Sequence, residues 1–311
     1  MCIRDRKGFS TVALVDRERL TAAAYIACWK VVRFLPQPLA AWLFERGADL
    51  ASDNGKGMEQ LRRNLSRVVG PENVTRELVR DSVRSYMRYW LEAFRLPAIH
   101  SDPDLQKRLL AGLRGKEHAD ASVASGRGVI FALPHSGNWD MAGVFCVGHY
   151  GGFTTVAERL KPEALFDAFV DYRESLGFTV LPLTGGSSSP FPRLKDTLER
   201  GGVVCLLSER DLTRTGVPVD FMGEEANVAA GPAQLAIETG AALHVVHSWF
   251  DGKEWGLAVS PEVEVTTLHE TCQRLAEGFA ENIRAHPEDW HMLQPHWNAD
   301  VERRRAARAK K

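Results

Sequence analysis

The sequence predicts an α/β protein in which a mostly parallel central sheet is flanked by helices on both faces, with a helical N-terminal layer in front of it. Three observations carry this reading. From about residue 115, short apolar runs alternate with segments of helical period. The runs are apolar throughout rather than alternating, which suits strands covered on both sides. Residues 16–113, by contrast, hold almost nothing but helical patterns.

In chain order, Leu20, Ala23, Ala24, Ala27, Cys28, Val31, Phe34 and Leu35 recur at helical spacing with Lys30 and Arg33 among them. Pro36 and Pro38 break that helix before a second apolar one, Leu39-Ala40-Ala41-Trp42-Leu43-Phe44. The pair could lie on a membrane surface with its basic groups at headgroup level, or pack on a core, and the pattern leaves both readings open. Further helices follow near 57–69 and 73–95, the second carrying Tyr86, Arg88, Tyr89 and Trp90. Strands are expected at 128–133, 153–157, 179–183, 203–208, 217–221, 242–250 and 256–260. Helices are expected at 139–148, 162–176, 190–199, 231–239 and 267–285. No composition shift marks a linker. One domain is expected over 7–302, made of a helical layer (7–113) and an α/β core (114–302), with a basic tail at 303–311. The first six residues match neither the following pattern nor a targeting segment, and read as a cloning or gene-assembly remnant. The tail reads as a solvated helix end.

Bulk properties exclude several classes. The chain has 311 residues, 44% of them hydrophobic and 25% charged, with a formal net charge of −1, so no global field draws it to nucleic acid. Its five cysteines are scattered and form no C-x-x-C pair, which argues against thiolate zinc sites and disulfide frameworks and suits a reducing cytoplasm. No apolar stretch reaches the roughly 20 residues needed to cross a bilayer. There is no Gly-x-Ser-x-Gly elbow, no Walker loop and no Gly-x-Gly-x-x-Gly. The run Ser187-Ser188-Ser189 reads as a polar loop. His244 and His247 lie three apart in a strand-like run and face opposite sides, so they cannot share a metal. His286, His291 and His296 sit in a Trp-rich stretch that favours aromatic packing over metal binding.

The chemistry gathers at strand tips. Val129-Ile130-Phe131-Ala132-Leu133-Pro134 ends at His135, Gly137 and Asn138 break the run, and Trp139 opens a helix bearing Asp140. A neutral imidazole there can take a proton from an alcohol while a carboxylate holds its other nitrogen, and the positive end of the helix helps keep it neutral. The spacing alone is weak: ten histidines and about 13% acidic residues give roughly one His-x4-Asp/Glu by chance. A capping histidine beside a buried tryptophan would look the same. A second run, Val203-Val204-Cys205-Leu206-Leu207-Ser208, ends at Glu209, on the same rim of the sheet. Asp140 and Glu209 therefore compete for one imidazole. The run from Glu158 follows a third strand, so Arg159 and Lys161 also reach this rim, and Arg173, Arg210 and Arg214 could join these two in a cationic patch suited to a phosphate-rich ligand. Taken singly, each reads more simply as a surface ion pair.

These residues resemble a known family. The His-x4-Asp element at a strand-turn-helix is similar to that of the glycerolipid and lipid A acyltransferase superfamily. Ala132-Leu133-Pro134-His135-Ser136-Gly137-Asn138-Trp139-Asp140-Met141-Ala142-Gly143 resembles the phosphatidylinositol mannoside acyltransferases of actinobacteria, a branch of the lipid A biosynthesis acyltransferase family. So do the runs at 155–162, 171–178, 208–216 and 289–295, and the likeness extends from roughly residue 18 to 300. The resemblance implies transfer of a palmitoyl-like chain from acyl-coenzyme A, as co-substrate, to the 6-hydroxyl of the mannose on inositol position 2 of a phosphatidylinositol mannoside. It implies a peripheral enzyme at the cytoplasmic face of the inner membrane, which favours the membrane reading of 20–44. By the same carry-over His135 is the general base, Glu209 its partner, and Asp140 holds the loop and the histidine. Glu158, Arg159, Lys161, Arg173 and Arg210 are then substrate-binding. Neither a metal nor another cofactor is expected, because a thioester is already activated. Other readings are a different lipid acceptor (a lipid A-like glycolipid or lysophosphatidate), or a non-catalytic lipid-binding protein of the same fold. An apolar groove lined by 139–148 and 20–44 is expected to hold the acyl chain.

Overall fold

The computed structural model describes residues 31–159, 163–185, 189–212 and 215–309. Its N-terminal layer comprises α1 (Gln37–Ala51), α2 (Glu59–Val69), α3 (Arg76–His100) and α4 (Leu105–Ala111). The expected helix before Pro36 falls mostly outside the described residues, which show its last turn, 31–34. α3 starts where the Thr75 hydroxyl accepts from the Leu78 N–H at 3.1 Å. It continues past Pro97, where the sequence suggested a stop, because the burial of Leu96 and the packing of Ile99 hold the final turn.

The α/β core follows as β1 (Leu113–Arg114), α5 (Lys116–Ala124), β2 (Val129–Leu133), α6 (Trp139–Tyr150), β3 (Phe153–Ala157), α7 (Glu163–Ser175), β4 (Phe178–Pro182), α8 (Phe191–Glu199) and β5 (Val203–Leu207). Then come β6 (Val217–Phe221), β7 (Glu224–Val228), α9 (Gly231–Thr239), β8 (Ala242–Asp251), β9 (Glu254–Val259), α10 (Leu268–Ala285) and α11 (Asn298–Ala309). Seven strands form one sheet in the order β1-β9-β8-β2-β5-β3-β4. Every neighbouring pair is parallel except β8 with β9.

Both faces of the sheet are covered. Ile130 and Ala132 of β2 pack with Leu194 and Leu198 of α8, Leu235 of α9 and Phe279 of α10. Val129, Phe131 and Leu133 point the other way, onto Leu96 of α3, Leu105 and Leu109 of α4, and Val144 and Phe145 of α6. This explains why the strand reads as continuously apolar.

Among the elements not foreseen, besides α4 and α11, are β1, α5 and β7. β1 has two residues, too few for a pattern. α5 shows no clear apolar stripe, burying Ala119 and Ser122. β7 pairs with β6 as a separate antiparallel hairpin, so the strand expected at 217–221 does not join the main sheet. Its turn is Met222-Gly223, both with positive φ (58° and 88°), as a two-residue hairpin loop requires.

Candidate active site

The site is built by strand register. Leu133 of β2 and Leu207 of β5 are partners in a parallel ladder, and His135 and Glu209 each stand two residues beyond them. The two side chains therefore emerge side by side at the carboxyl ends of adjacent strands. Glu209 Oε1 accepts from the His135 backbone N–H at 3.0 Å, and its two oxygens lie 2.8 and 2.9 Å from His135 Nδ1. Burial pushes the Glu209 carboxyl up, but the charge and hydrogen bonds of His135 outweigh it and hold the group below the usual carboxylate range. An ionised carboxylate on Nδ1 fixes the tautomer with its hydrogen there and leaves Nε2 a lone pair. The His135 side chain is 27% exposed and lines a large cavity, whereas Glu209 is fully buried.

Asp140 occupies a different environment. Its carboxylate accepts from Arg173 Nε at 2.9 Å, from Arg173 Nη2 at 3.1 Å and from the Tyr89 hydroxyl at 3.3 Å. Burial pulls the Arg173 guanidinium down, yet the Asp140 charge prevails and raises it. Burial, reinforced by Asp140, pushes the Tyr89 phenol well above its usual value. Asp140 thus anchors α6 to α3 and α7 and makes no hydrogen bond with His135 among the described residues. This corrects one expectation, since Asp140 does not hold the imidazole; Arg173, which also lines the cavity, is engaged by Asp140 in a buried ion pair.

The loop between His135 and α6 is pinned from behind. The His291 N–H donates to the His135 carbonyl at 2.8 Å, and the Gly137 N–H donates to the Asp289 carbonyl at 2.9 Å. The Ser85 hydroxyl donates to Asp289 Oδ1 at 2.6 Å and sits 3.0 Å from His291 Nε2. Asn138 caps α6, its Oδ1 accepting from the backbone N–H groups of Asp140 and Met141. The Trp139 ring meets His135 edge-on, with centroids 5.4 Å apart, and lies tilted by 31° against Tyr89 with centroids 3.9 Å apart.

The cavity measures about 760 Å³. Its polar end holds His135, Glu158, Arg210 and Asp211. From there apolar walls run between α6 (Ala142, Gly143, Phe145, Cys146) and the sheet (Phe131, Leu133, Val180, Val246), as far as Leu113, Ala119 and Tyr150. α6 has twelve residues and is about 18 Å long, so the channel suits an extended chain. Among the described residues, neither α1 nor the 31–34 turn lines it, contrary to expectation.

Of the foreseen cations, Arg210 lines the cavity and donates to Gln294 Oε1 at 3.0 Å. Arg159 is paired with Glu163 through its Nε, at 2.8 and 2.9 Å. Lys161 and Arg214 lie outside the described residues. His286 stacks on Trp249 with centroids 4.6 Å apart, and His296 packs edge-on against Phe221 at 4.9 Å. The contributions of Tyr89, Ser85 and His291 were missed, because a residue that reaches the site from a distant helix leaves no local spacing to read. Asn138 carried a signal, as an amide before the first helical residue.

Comparison with known proteins adds a line of evidence independent of this geometry. Residues 6–299 match the family model described as bacterial lipid A biosynthesis acyltransferase. A Mycolicibacterium smegmatis protein named phosphatidylinositol mannoside acyltransferase is 53% identical over 295 residues, covering 93% of this chain and 95% of that protein. A Mycobacterium tuberculosis protein of the same name is 52% identical over 288 residues, covering 91% of this chain and 90% of that protein.

Proposed function

This chain belongs to the bacterial lipid A biosynthesis acyltransferase family, and from that premise we propose that it acylates phosphatidylinositol mannosides. In this reading a palmitoyl-like chain moves from acyl-coenzyme A to the 6-hydroxyl of the mannose on inositol position 2. The observation that carries it is the His135–Glu209 pair at the polar mouth of a deep apolar channel.

The chain of the thioester lies along α6, with its carbonyl at the mouth. His135 Nε2 takes the mannose hydroxyl proton as the oxygen attacks that carbonyl. Glu209 stabilises the imidazolium that forms. When the tetrahedral intermediate collapses, the C–S bond breaks and the imidazolium returns its proton to the departing thiolate. No acyl-enzyme forms. Arg210, which lines the mouth, binds the phosphates of coenzyme A or of the acceptor, and Glu158, which also lines it, accepts from hydroxyls of the acceptor, with Arg159 and Lys161 just after Glu158 in sequence.

The enzyme works as a peripheral protein at the cytoplasmic face of the membrane. Phe34 (82% exposed), Trp42 (52%) and Leu50 (83%) present apolar surface on the N-terminal layer, with Leu39 and Leu43 beside them. Arg46 lies 5.9 Å from the Trp42 ring. No described helix is long and apolar enough to cross a membrane.

The test is an acceptor panel: purified protein, radiolabelled palmitoyl-coenzyme A, and a phosphatidylinositol mannoside, a lipid A-like glycolipid or lysophosphatidate. Transfer to the mannoside is expected. Preference for either other lipid would move the acceptor, and no transfer to any would return the protein to a lipid-binding role.

A further inference from the structure

Arg88, Glu92 and Asn138 form a chain of hydrogen bonds from the β8–β9 turn to the first turn of α6. Arg88 donates to the carbonyls of Gly252 (2.6 Å), Lys253 (3.1 Å) and Glu254 (3.3 Å), and its guanidinium lies 4.0 Å from the centre of the Phe250 ring. Its Nε also donates to Glu92 Oε1 at 2.8 Å. Glu92 Oε2 accepts from Asn138 Nδ2 and from Trp255 Nε1, both at 2.7 Å. We propose that Glu92 is a positioning residue for acyl transfer: it holds the Asn138 amide in one orientation and thereby sets the loop that carries His135. This rests on the reading given under Proposed function.

The amide of Asn138 has one accepting and one donating end. Its Oδ1 must face the N–H groups of Asp140 and Met141, at 3.1 and 3.3 Å, to cap α6. That requires an acceptor on the other side, and Glu92 Oε2 is there. A reversed amide would set its NH2 against two backbone donors and leave the Glu92 carboxylate facing an oxygen. Asn138 is 1% exposed and the Glu92 side chain 12%, so water cannot substitute for a lost partner.

The loop has no slack to absorb a shift. His135, Ser136 and Gly137 are each pinned through the backbone, by His291, Ser248 and Asp289 respectively. Gly137 sits at φ 54°, where an added Cβ would fall 2.6 Å from the Ser248 carbonyl oxygen. Movement at Asn138 is therefore passed to the His135 imidazole rather than dissipated, and small displacements of a base cost rate steeply.

The experiment uses Glu92→Gln and the donor–acceptor swap Glu92→Gln with Asn138→Asp. In the single variant a glutamine cannot accept from both Arg88 and Asn138. Its kcat for transfer from palmitoyl-coenzyme A should fall about tenfold or more, with KM within about twofold. In the swap, the glutamine amide donates to the aspartate and accepts from Arg88, the aspartate still caps α6, and Trp255 Nε1 loses its acceptor. Recovery of kcat without recovery of Tm is expected. Unchanged kcat in the single variant, or failure of the swap to restore it, would overturn the inference. Wild-type enzyme is assayed in parallel: if it transfers no acyl chain, the acyl-transfer reading fails instead.

Discussion

Asp140 is held by Arg173, 33 residues further along the chain, in a two-pronged ion pair at 2.9 and 3.1 Å. Although Asp140 belongs to the His-x4-Asp spacing, its partner is thus an arginine on α7, while the imidazole is held by Glu209. The two carboxylates should fail in different ways when neutralised.

Glu209→Gln should lower kcat by roughly 10²–10⁴, because a carboxamide neither fixes the tautomer with hydrogen on Nδ1 nor stabilises an imidazolium. Asp140→Asn should instead lower stability by about 3 kcal/mol, since removing one partner leaves a buried guanidinium uncompensated. Urea unfolding and steady-state kinetics on both variants separate these effects. A larger kcat loss in Asp140→Asn would return the orienting role to Asp140.

His135→Ala should lose at least about 10²-fold in turnover while acyl-coenzyme A still binds, since the channel walls do not depend on the ring. Calorimetric titration with a non-hydrolysable acyl-coenzyme A analogue, alongside the transfer assay, checks both halves. Retained turnover would remove His135 from the reaction.

Ala142 lies on the channel side of α6, next to Gly143, where an added Cβ would come within 2.7 Å of the Phe178 ring. Ala142→Trp should shift preference from palmitoyl towards shorter chains, by about tenfold or more per pair of substrates compared. Competition between acyl-coenzyme A species of different length reads this directly. An unchanged preference would place the chain elsewhere.

Stability should fall as the pH drops below about 6.5. Burial pulls His247 and His291 to about 3 and His296 to about 4. Between the ordinary histidine value and these, the unfolded chain takes up protons that the native state refuses, so stability is present above about 6.5 and lost on acidification. Each histidine contributes a slope of up to about 1.4 kcal/mol per pH unit. Asp289 opposes this: burial raises it to about 6, so below that value the native state binds the extra proton and one histidine is offset. Among the described residues neither His247 ring nitrogen has a hydrogen-bond partner, so His247→Phe should flatten the profile between pH 7 and 5. Denaturant midpoints over that range give the answer, and an unaltered slope would show that this histidine does not titrate on unfolding.

The strands at 153–157 and 217–221 and the helix at 231–239 agree residue for residue with the sequence pattern, because buried runs and turn residues act locally. β7 was not legible, since Glu224-Glu225-Ala226-Asn227-Val228 buries two small side chains against a hairpin partner that a window of sequence does not contain. Placing His135 and Glu209 on one rim was legible from two strand tips. Arg173 looked like its neighbours Arg159 and Arg210, because charge and spacing do not reveal burial.

The alternation of apolar runs with helical segments determined the layered sheet, the strand tips and the residue types that stand on them, since these follow from backbone period and hydrophobicity along the chain. Tertiary structure decided which carboxylate meets the imidazole. β5 pairs directly with β2 although 69 residues separate Leu133 from the start of β5 at Val203, and parallel register then sets Glu209 beside His135. Asp140, five residues from His135, turns on α6 towards Arg173 instead, because a helix rotates successive side chains away from the strand tip that precedes it.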